Sequence, residues 1–211
     1  MAKIENPIQC STTGRVGAVV NYQFRGRWCV RTVPAAVHNP RTVRQQEGRS
    51  LFVQSVRLAS QMMCVLRVGL RAPALAMHKT ESNLFMQLNK GCFSLVDGLL
   101  EVDYASLRVA MGEVVAVAFG VPRLEEPLLV AADFVGNPNH LSCSSDDGVH
   151  LAAFCPARQL ALLSAPAVRR ASCVTLRLPE EWTGNEVQLY GLTRDWGGHA
   201  SDSTYLGALQ L

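Results

Sequence analysis

A chain of 211 residues with 48% hydrophobic and 18% charged residues is too apolar for intrinsic disorder, and it is long enough for one large domain or two small ones. No apolar run reaches the ~18 residues of a membrane span, and MAKIENPIQCSTTG lacks the apolar core and cleavage site of a secretory signal, so the expected compartment is the cytoplasm or a particle assembled there. The net charge of +3 is unevenly spread: residues 1–71 hold eleven Lys/Arg against two acids (+9), whereas residues 72–211 hold nine against fifteen (−6). Such a split suits nucleic acid or another anionic partner, attraction between two segments, or contacts between copies in an assembly. Seven cysteines with no Cys-x-x-Cys pair read as small buried hydrophobes rather than a disulfide framework.

The segment GRVGAVVNYQFRGRWCVRTV, residues 14–33, alternates β-branched and aromatic residues around Gly26 and predicts a hairpin. A two-residue loop at Arg25-Gly26 pairs Phe24 with Arg27 and Val20 with Arg31, mixing charge into the apolar side. A three-residue loop, Arg25-Gly26-Arg27, pairs Phe24 with Trp28 and Tyr22 with Val30 and collects the aromatics on one face. The second register is preferred because only it gives a coherent apolar face.

Asn39 and Pro40 signal a helix start, with Asn39 as N-cap, and the helix is expected to run to about Arg71 before Pro73. At 100° per residue, Leu51, Phe52, Leu58, Met62, Met63, Val65, Leu66 and Leu70 fall within a sector of roughly 160°. Arg49, Arg57, Arg67 and Arg71 fall within a separate sector of roughly 80°. One helix should thus show a buried stripe and an arginine stripe. A second, short helix is expected at TESNLFMQLNKG, capped by Thr80 and terminated by Gly91, followed by strands about the turn Asp97-Gly98.

From Glu113 onward, short apolar runs alternate with turn-forming stretches: VVAVAF, LLVAADF, VHLAAFC, CVTLRL, EVQLYGL and TYLGALQL, separated by segments such as GVPRLEEP and SSDDG. The expected architecture is α+β and mainly β: an N-terminal hairpin and long helix (residues 1–112, basic) followed by an immunoglobulin- or fibronectin-like β-sandwich (residues 113–211, acidic).

The motifs TTGRVGAVVNYQFRGRWCVRTVP, NPRTVRQQEGRSLF, DGLLEVDYASL, LPEEWTGNEVQLYGL and SDSTYLG together resemble an uncharacterised family of Bacteroidota bacteria, domain of unknown function 6266, over nearly the whole chain. Its most specific points are Gly14, Gly17, Arg31, Pro34, Asn39, Pro40, Thr42, Gln45 and Arg49, then Trp182, Tyr190, Ser203, Tyr205 and Gly207. The resemblance implies one unit with a hairpin and helix leading into a β-rich part, and it brings no activity. The opening is also similar to small proteins of phages and mobile elements of the same bacteria. The arginine- and cysteine-rich usage departs from the lysine-rich style of that family.

A nucleic-acid surface needs clustered cations and aromatics free to stack. Arg25, Arg27, Arg31, Arg49, Arg57, Arg67 and Arg71 supply a candidate anionic-partner surface, whose plain alternative is a solvated face. In the preferred register Tyr22, Phe24 and Trp28 face a core or an interface instead. Trp28 and Trp196 are the candidate protein-contact residues, and the plainer reading of Trp196 is a ring covering the open end of the core. His140, Cys143, His150 and Cys155 lack zinc-knuckle spacing, and residues 150 and 155 of one strand face opposite ways. The pairs Glu125-Glu126, Asp146-Asp147 and Glu180-Glu181 read as turn and solubility charges. No nucleophile elbow or phosphate loop is present in the sequence. The expected function is a non-enzymatic structural or interaction protein with a protein partner or its own copies, the alternative being a nucleic-acid-associated protein; no cofactor, metal, membrane or small-molecule substrate is implied.

Overall fold

The computed structural model describes residues 2–3, 13–35, 39, 41–136 and 143–211. Among these residues the fold is mixed α/β, with more strand (38%) than helix (26%) in several antiparallel sheets. The chain divides into two compact units, residues 1–46 and 47–211. Residues on both sides of position 112 share one core in the second unit, where Leu107, Val109 and Ala110 pack with Phe154, Tyr190 and Ala200.

Unit 1 is a four-stranded antiparallel sheet of β1 (Ala2–Lys3), β2 (Gly14–Val16), β3 (Val19–Phe24) and β4 (Arg27–Thr32), in the order β1-β4-β3-β2. The β3-β4 hairpin adopts the two-residue loop, not the expected three-residue one. Phe24 lies opposite Arg27, Gln23 opposite Trp28, Tyr22 opposite Cys29, and Val20 opposite Arg31. Arg25 and Gly26 both take positive φ, 47° and 76°, as a type I′ turn requires, and that turn matches the right-handed twist of the flanking strands. The three-residue register would serve a sheet with one buried face. Only Cys29 of β3 and β4 is buried, so turn geometry sets the register instead.

The expected single helix is three: α1 (Val43–Gln61), α2 (Met63–Gly69) and α3 (Arg71–Ala76). The breaks fall at Met62 (φ −91°, ψ 9°) and Leu70 (φ −119°, ψ −2°). Pro73 is accommodated because it stands in the first turn of α3, where an amide N–H has no intrahelical acceptor. Gly69 permits the break to pack: a Cβ there would meet the Val109 carbonyl oxygen at 2.6 Å. The helix begins at Val43, with the Thr42 carbonyl accepting from the Gln45 and Gln46 amides, rather than beyond an Asn39 cap; Pro40 lies outside the described residues. Leu58, Met62, Val65, Leu66 and Leu70 are buried as expected, whereas Phe52 is 60% exposed. The short helix α4 (Glu81–Leu88) follows its Thr80 cap, whose Oγ1 accepts from the Asn83 amide at 3.1 Å. The hairpin β5 (Phe93–Val96) and β6 (Leu99–Val102) turns at Asp97-Gly98, both at positive φ.

Among the described residues, nine further strands follow: β7 (Ala118–Phe119), β8 (Arg123–Glu126), β9 (Leu129–Val135), β10 (Gly148–Cys155), β11 (Leu160–Leu163), β12 (Ala167–Val168), β13 (Cys173–Arg177), β14 (Glu186–Arg194) and β15 (Thr204–Gln210). One sheet runs β11-β10-β14-β15 with β12 also on β10; the other runs β13-β9-β7 with β8 also on β9. β8 occupies GVPRLEEP, read above only as a turn, because Arg123, Leu124 and Glu126 pair with β9. Val149, Leu151, Ala153 and Cys155 of β10 and Val187 and Leu189 of β14 share a core with Val130, Ala132, Phe134, Val174 and Leu176 of the second sheet. The alternate residues Ala152, Phe154, Tyr190 and Leu192 enter a second core with α1, α2 and α4. β10 and β14 are therefore buried on both faces, which is why VHLAAFC is a continuous apolar run rather than an alternating one.

Candidate functional site

The observed register redistributes the side chains of unit 1. Directly opposed residues of an antiparallel pair share a face. One face thus carries Arg15, Val20, Tyr22, Phe24, Arg27, Cys29 and Arg31, and the other carries Val19, Asn21, Gln23, Trp28, Val30 and Thr32. Arg15, Arg27 and Arg31 are exposed, Phe24 is 39% exposed and Tyr22 is half-buried. Trp28 is separated from the other two aromatics, and Arg27 and Arg31 join them. Arg25 sits in the turn. Arg15 was missed in the sequence; the signal that finds it is Gly17, whose positive φ closes the β2-β3 turn and sets Arg15 opposite Val20.

In unit 2, Arg49 and Arg57 lie on α1, Arg67 on α2 and Arg71 at the start of α3, all exposed. The breaks at Met62 and Leu70 interrupt the 100° progression, so these four do not form one continuous helical stripe. Arg57 borders a cavity of about 360 Å³ with Gln54, Tyr104 and Gln159. Trp196 is 101% exposed at the tip of a tight turn and covers no core. That turn is held internally: the Asp195 amide donates to the His199 carbonyl at 2.9 Å, and the His199 amide donates to Asp195 Oδ1 at 2.7 Å.

Beside that turn, Arg108, Asp195, His199 and Asp202 line a cavity of about 850 Å³ against α3. Arg108 pairs with Asp202 at 3.0 Å, and His199 Nδ1 lies 3.0 Å from Asp195 Oδ2. Burial pushes the Asp195 carboxyl up, but hydrogen bonds from the His199 amide and imidazole outweigh it and hold it below the usual carboxylate range. The histidine thus has an orienting carboxylate, while the described residues lining the cavity include no serine, threonine or cysteine to serve as a nucleophile.

His150 and Cys155 stand on opposite sides of β10, Cys155 in the inter-sheet core and His150 with Nδ1 3.2 Å from the Ser164 carbonyl. His140, His38 and Cys10 lie outside the described residues, and among the described ones no cluster of His, Cys, Asp or Glu is placed to hold a metal. Since a carbonyl only accepts, His150 donates through Nδ1. Burial depresses its pKa, with Arg194 adding to the effect and the Ser164 carbonyl opposing it. A depressed folded pKa means the unfolded chain binds the proton first as pH falls. Stability is then full above the ordinary histidine value of about 6.5 and declines as pH drops below it toward the folded value. The unfolding free energy obtained from urea titrations should fall from pH 7.5 to 5.5, by no more than about 1.4 kcal/mol per pH unit for one proton. His150→Asn should flatten that dependence; an unchanged dependence would assign it to other groups.

A model of a family described as "Family of unknown function (DUF6266)" matches residues 11–207. The chain belongs to this family. No curated protein and no solved structure matches. The DUF6266 match brings no activity with it, and the residues that carried the resemblance in the last third are largely scaffold. Tyr190 donates its hydroxyl to the Tyr104 carbonyl at 2.9 Å, and Ser203 Oγ accepts from the Val109 amide at 3.0 Å, tying the 104–110 segment onto β14 and the entry to β15. Trp182 is 1% exposed between the two sheets. Among the described residues, no helix of this DUF6266 protein is long and apolar enough to cross a membrane.

Proposed function

We propose that this chain is a non-enzymatic interaction protein, built into an assembly through its basic N-terminal unit, which engages an anionic partner. The observation that carries this reading is the concentration of charge by unit. Residues 1–46 hold seven Lys/Arg against one acid, a balance of +6, while residues 47–211 hold thirteen against sixteen, a balance of −3. Charge of that density steers association with anionic surfaces and is sensitive to salt. The larger unit is the scaffold, read as a sandwich of immunoglobulin or fibronectin type with helices on its outer face; two antiparallel sheets around one apolar core support that reading. A neighbouring copy's acidic unit and a nucleic acid are both partners of the required sign. The nucleic-acid reading draws specific support from the arginine and aromatic side chains that share one face of unit 1.

Sedimentation velocity over a range of protein and salt concentrations, with and without polyglutamate or an oligonucleotide, tests the proposal. The expected result is self-association or polyanion binding that weakens as salt rises and is lost when Arg25, Arg27 and Arg31 are replaced together by glutamine. Parallel replacement of Arg49, Arg57, Arg67 and Arg71 should leave it largely intact. A concentration-independent monomer that ignores salt and binds no polyanion would overturn the reading.

A further inference from the structure

Resting on the anionic-partner reading above, we propose that the N-terminal sheet binds single-stranded nucleic acid, with bases stacking on Phe24 and Tyr22 and phosphates meeting Arg15, Arg27 and Arg31. The register decides this. Phe24 sits directly across from Arg27, Tyr22 across from Cys29, and Val20 between Arg15 and Arg31 on the neighbouring strands, so two consecutive rings of β3 share one antiparallel face with three arginines. Adjacent strands are about 4.8 Å apart, and residues two apart on one strand are about 7 Å apart. The rings of residues 22 and 24 are therefore spaced as successive bases of an extended strand can be, with Arg27 directly across from Phe24 and Arg27 and Arg31 diagonal to Tyr22.

Both halves of the chemistry are accessible. Arg15, Arg27 and Arg31 are exposed, and so is Phe24. Arginine suits phosphate better than lysine does, because its planar fork donates two parallel hydrogen bonds to two oxygens. An aromatic ring stacks on the face of any base, and base faces are open only in a single strand. The opposite face carries Trp28 but no arginine, and the four candidate arginines of unit 2, Arg49, Arg57, Arg67 and Arg71, are distributed over three separate helices. On the sheet face of unit 1, cations and rings thus lie together on one exposed pleated surface.

Fluorescence anisotropy with labelled oligo(dT), a duplex of mixed sequence and labelled polyglutamate tests this on the full chain. Oligo(dT) should bind more tightly than the duplex, with an affinity that falls steeply between about 50 and 200 mM salt. Arg27→Gln and Arg31→Gln should each reduce the slope of log K against log salt by about 0.7. Phe24→Leu should weaken oligo(dT) binding about tenfold and leave that slope unchanged, with Tyr22→Leu doing the same; thermal melts of each variant report whether it still folds. If Phe24→Leu folds and binds as well as the wild type, or the duplex binds as tightly as oligo(dT), stacking on this face is refuted while the anionic-partner reading stands. If neither oligonucleotide nor polyglutamate binds at any salt and the chain does not self-associate, both fall together.

Discussion

Replacing Trp182 by alanine is expected to destabilise the protein by about 3–5 kcal/mol, whereas the same change at Trp196 should stay within about 0.5 kcal/mol. The two residues are chemically identical and environmentally opposite. Trp182 ends a short 3-10 turn between β13 and β14, with its amide donating to the Pro179 carbonyl at 3.0 Å, and its ring is 1% exposed in the inter-sheet core. Truncation there removes a large apolar surface from the core and leaves a cavity that Leu176, Leu178 and Val187 can fill only in part. For a chain of this size the melting temperature should drop by roughly 10 °C. Trp196 buries nothing, so its removal should register only in binding experiments. Equilibrium urea unfolding of the two variants measures the difference. Comparable losses at both positions would contradict the packing described for Trp182.

The second large effect is expected at the Arg169–Asp147 ion pair. Their side chains are 2% and 5% exposed, with Arg169 Nη2 3.2 Å from Asp147 Oδ2 and 2.7 Å from the Val115 carbonyl. Asp147 also accepts from the Ser144 amide at 3.0 Å, while Nε and Nη1 of Arg169 are buried without a hydrogen-bond partner. Taking either partner away strands the other as a buried charge, so Arg169→Met and Asp147→Leu should each cost about 3–5 kcal/mol. The double variant should cost far less than the sum, because it strands no charge and relieves the unpartnered guanidinium. The adjacent pair, Arg170 with Asp146 at 3.7 Å, is about 70% exposed on both sides, and Arg170→Met should cost less than about 1 kcal/mol. A double-mutant cycle by chemical denaturation reads all of these. Additive single costs at positions 147 and 169 would show that the pair does not act as a unit.

These doublets show where reading a sequence runs out. Asp146-Asp147 and Arg169-Arg170 look alike as residue types, and by sequence both aspartates are expected to be turn and solubility charges. One member of each lies in a core and the other in solvent, a distinction made by the close packing of Gly136 on Arg169 and by the pairing of β12 with β10. The cavity beside Asp195 and His199 is of the same kind: it joins α3 to the segments around positions 108–114 and 195–202, and no local pattern announces it.

What the sequence determined by itself was local. Asp97-Gly98 made a tight turn, Thr80 capped a helix, and six of the apolar runs after Glu113 contributed strands, because turn chemistry, capping and β-propensity act over a few residues. Tertiary structure decided what each element faces. It split one apolar helical pattern at Met62 and Leu70 so that the pieces could pack on a sheet, and it buried both faces of β10 and β14. In unit 1 the pattern of apolar residues pointed to one register and the turn imposed the other. With neither face of that sheet deeply buried, the hydrophobic pattern had no core to serve, and the positive φ angles of Arg25 and Gly26 placed Phe24 beside Arg27.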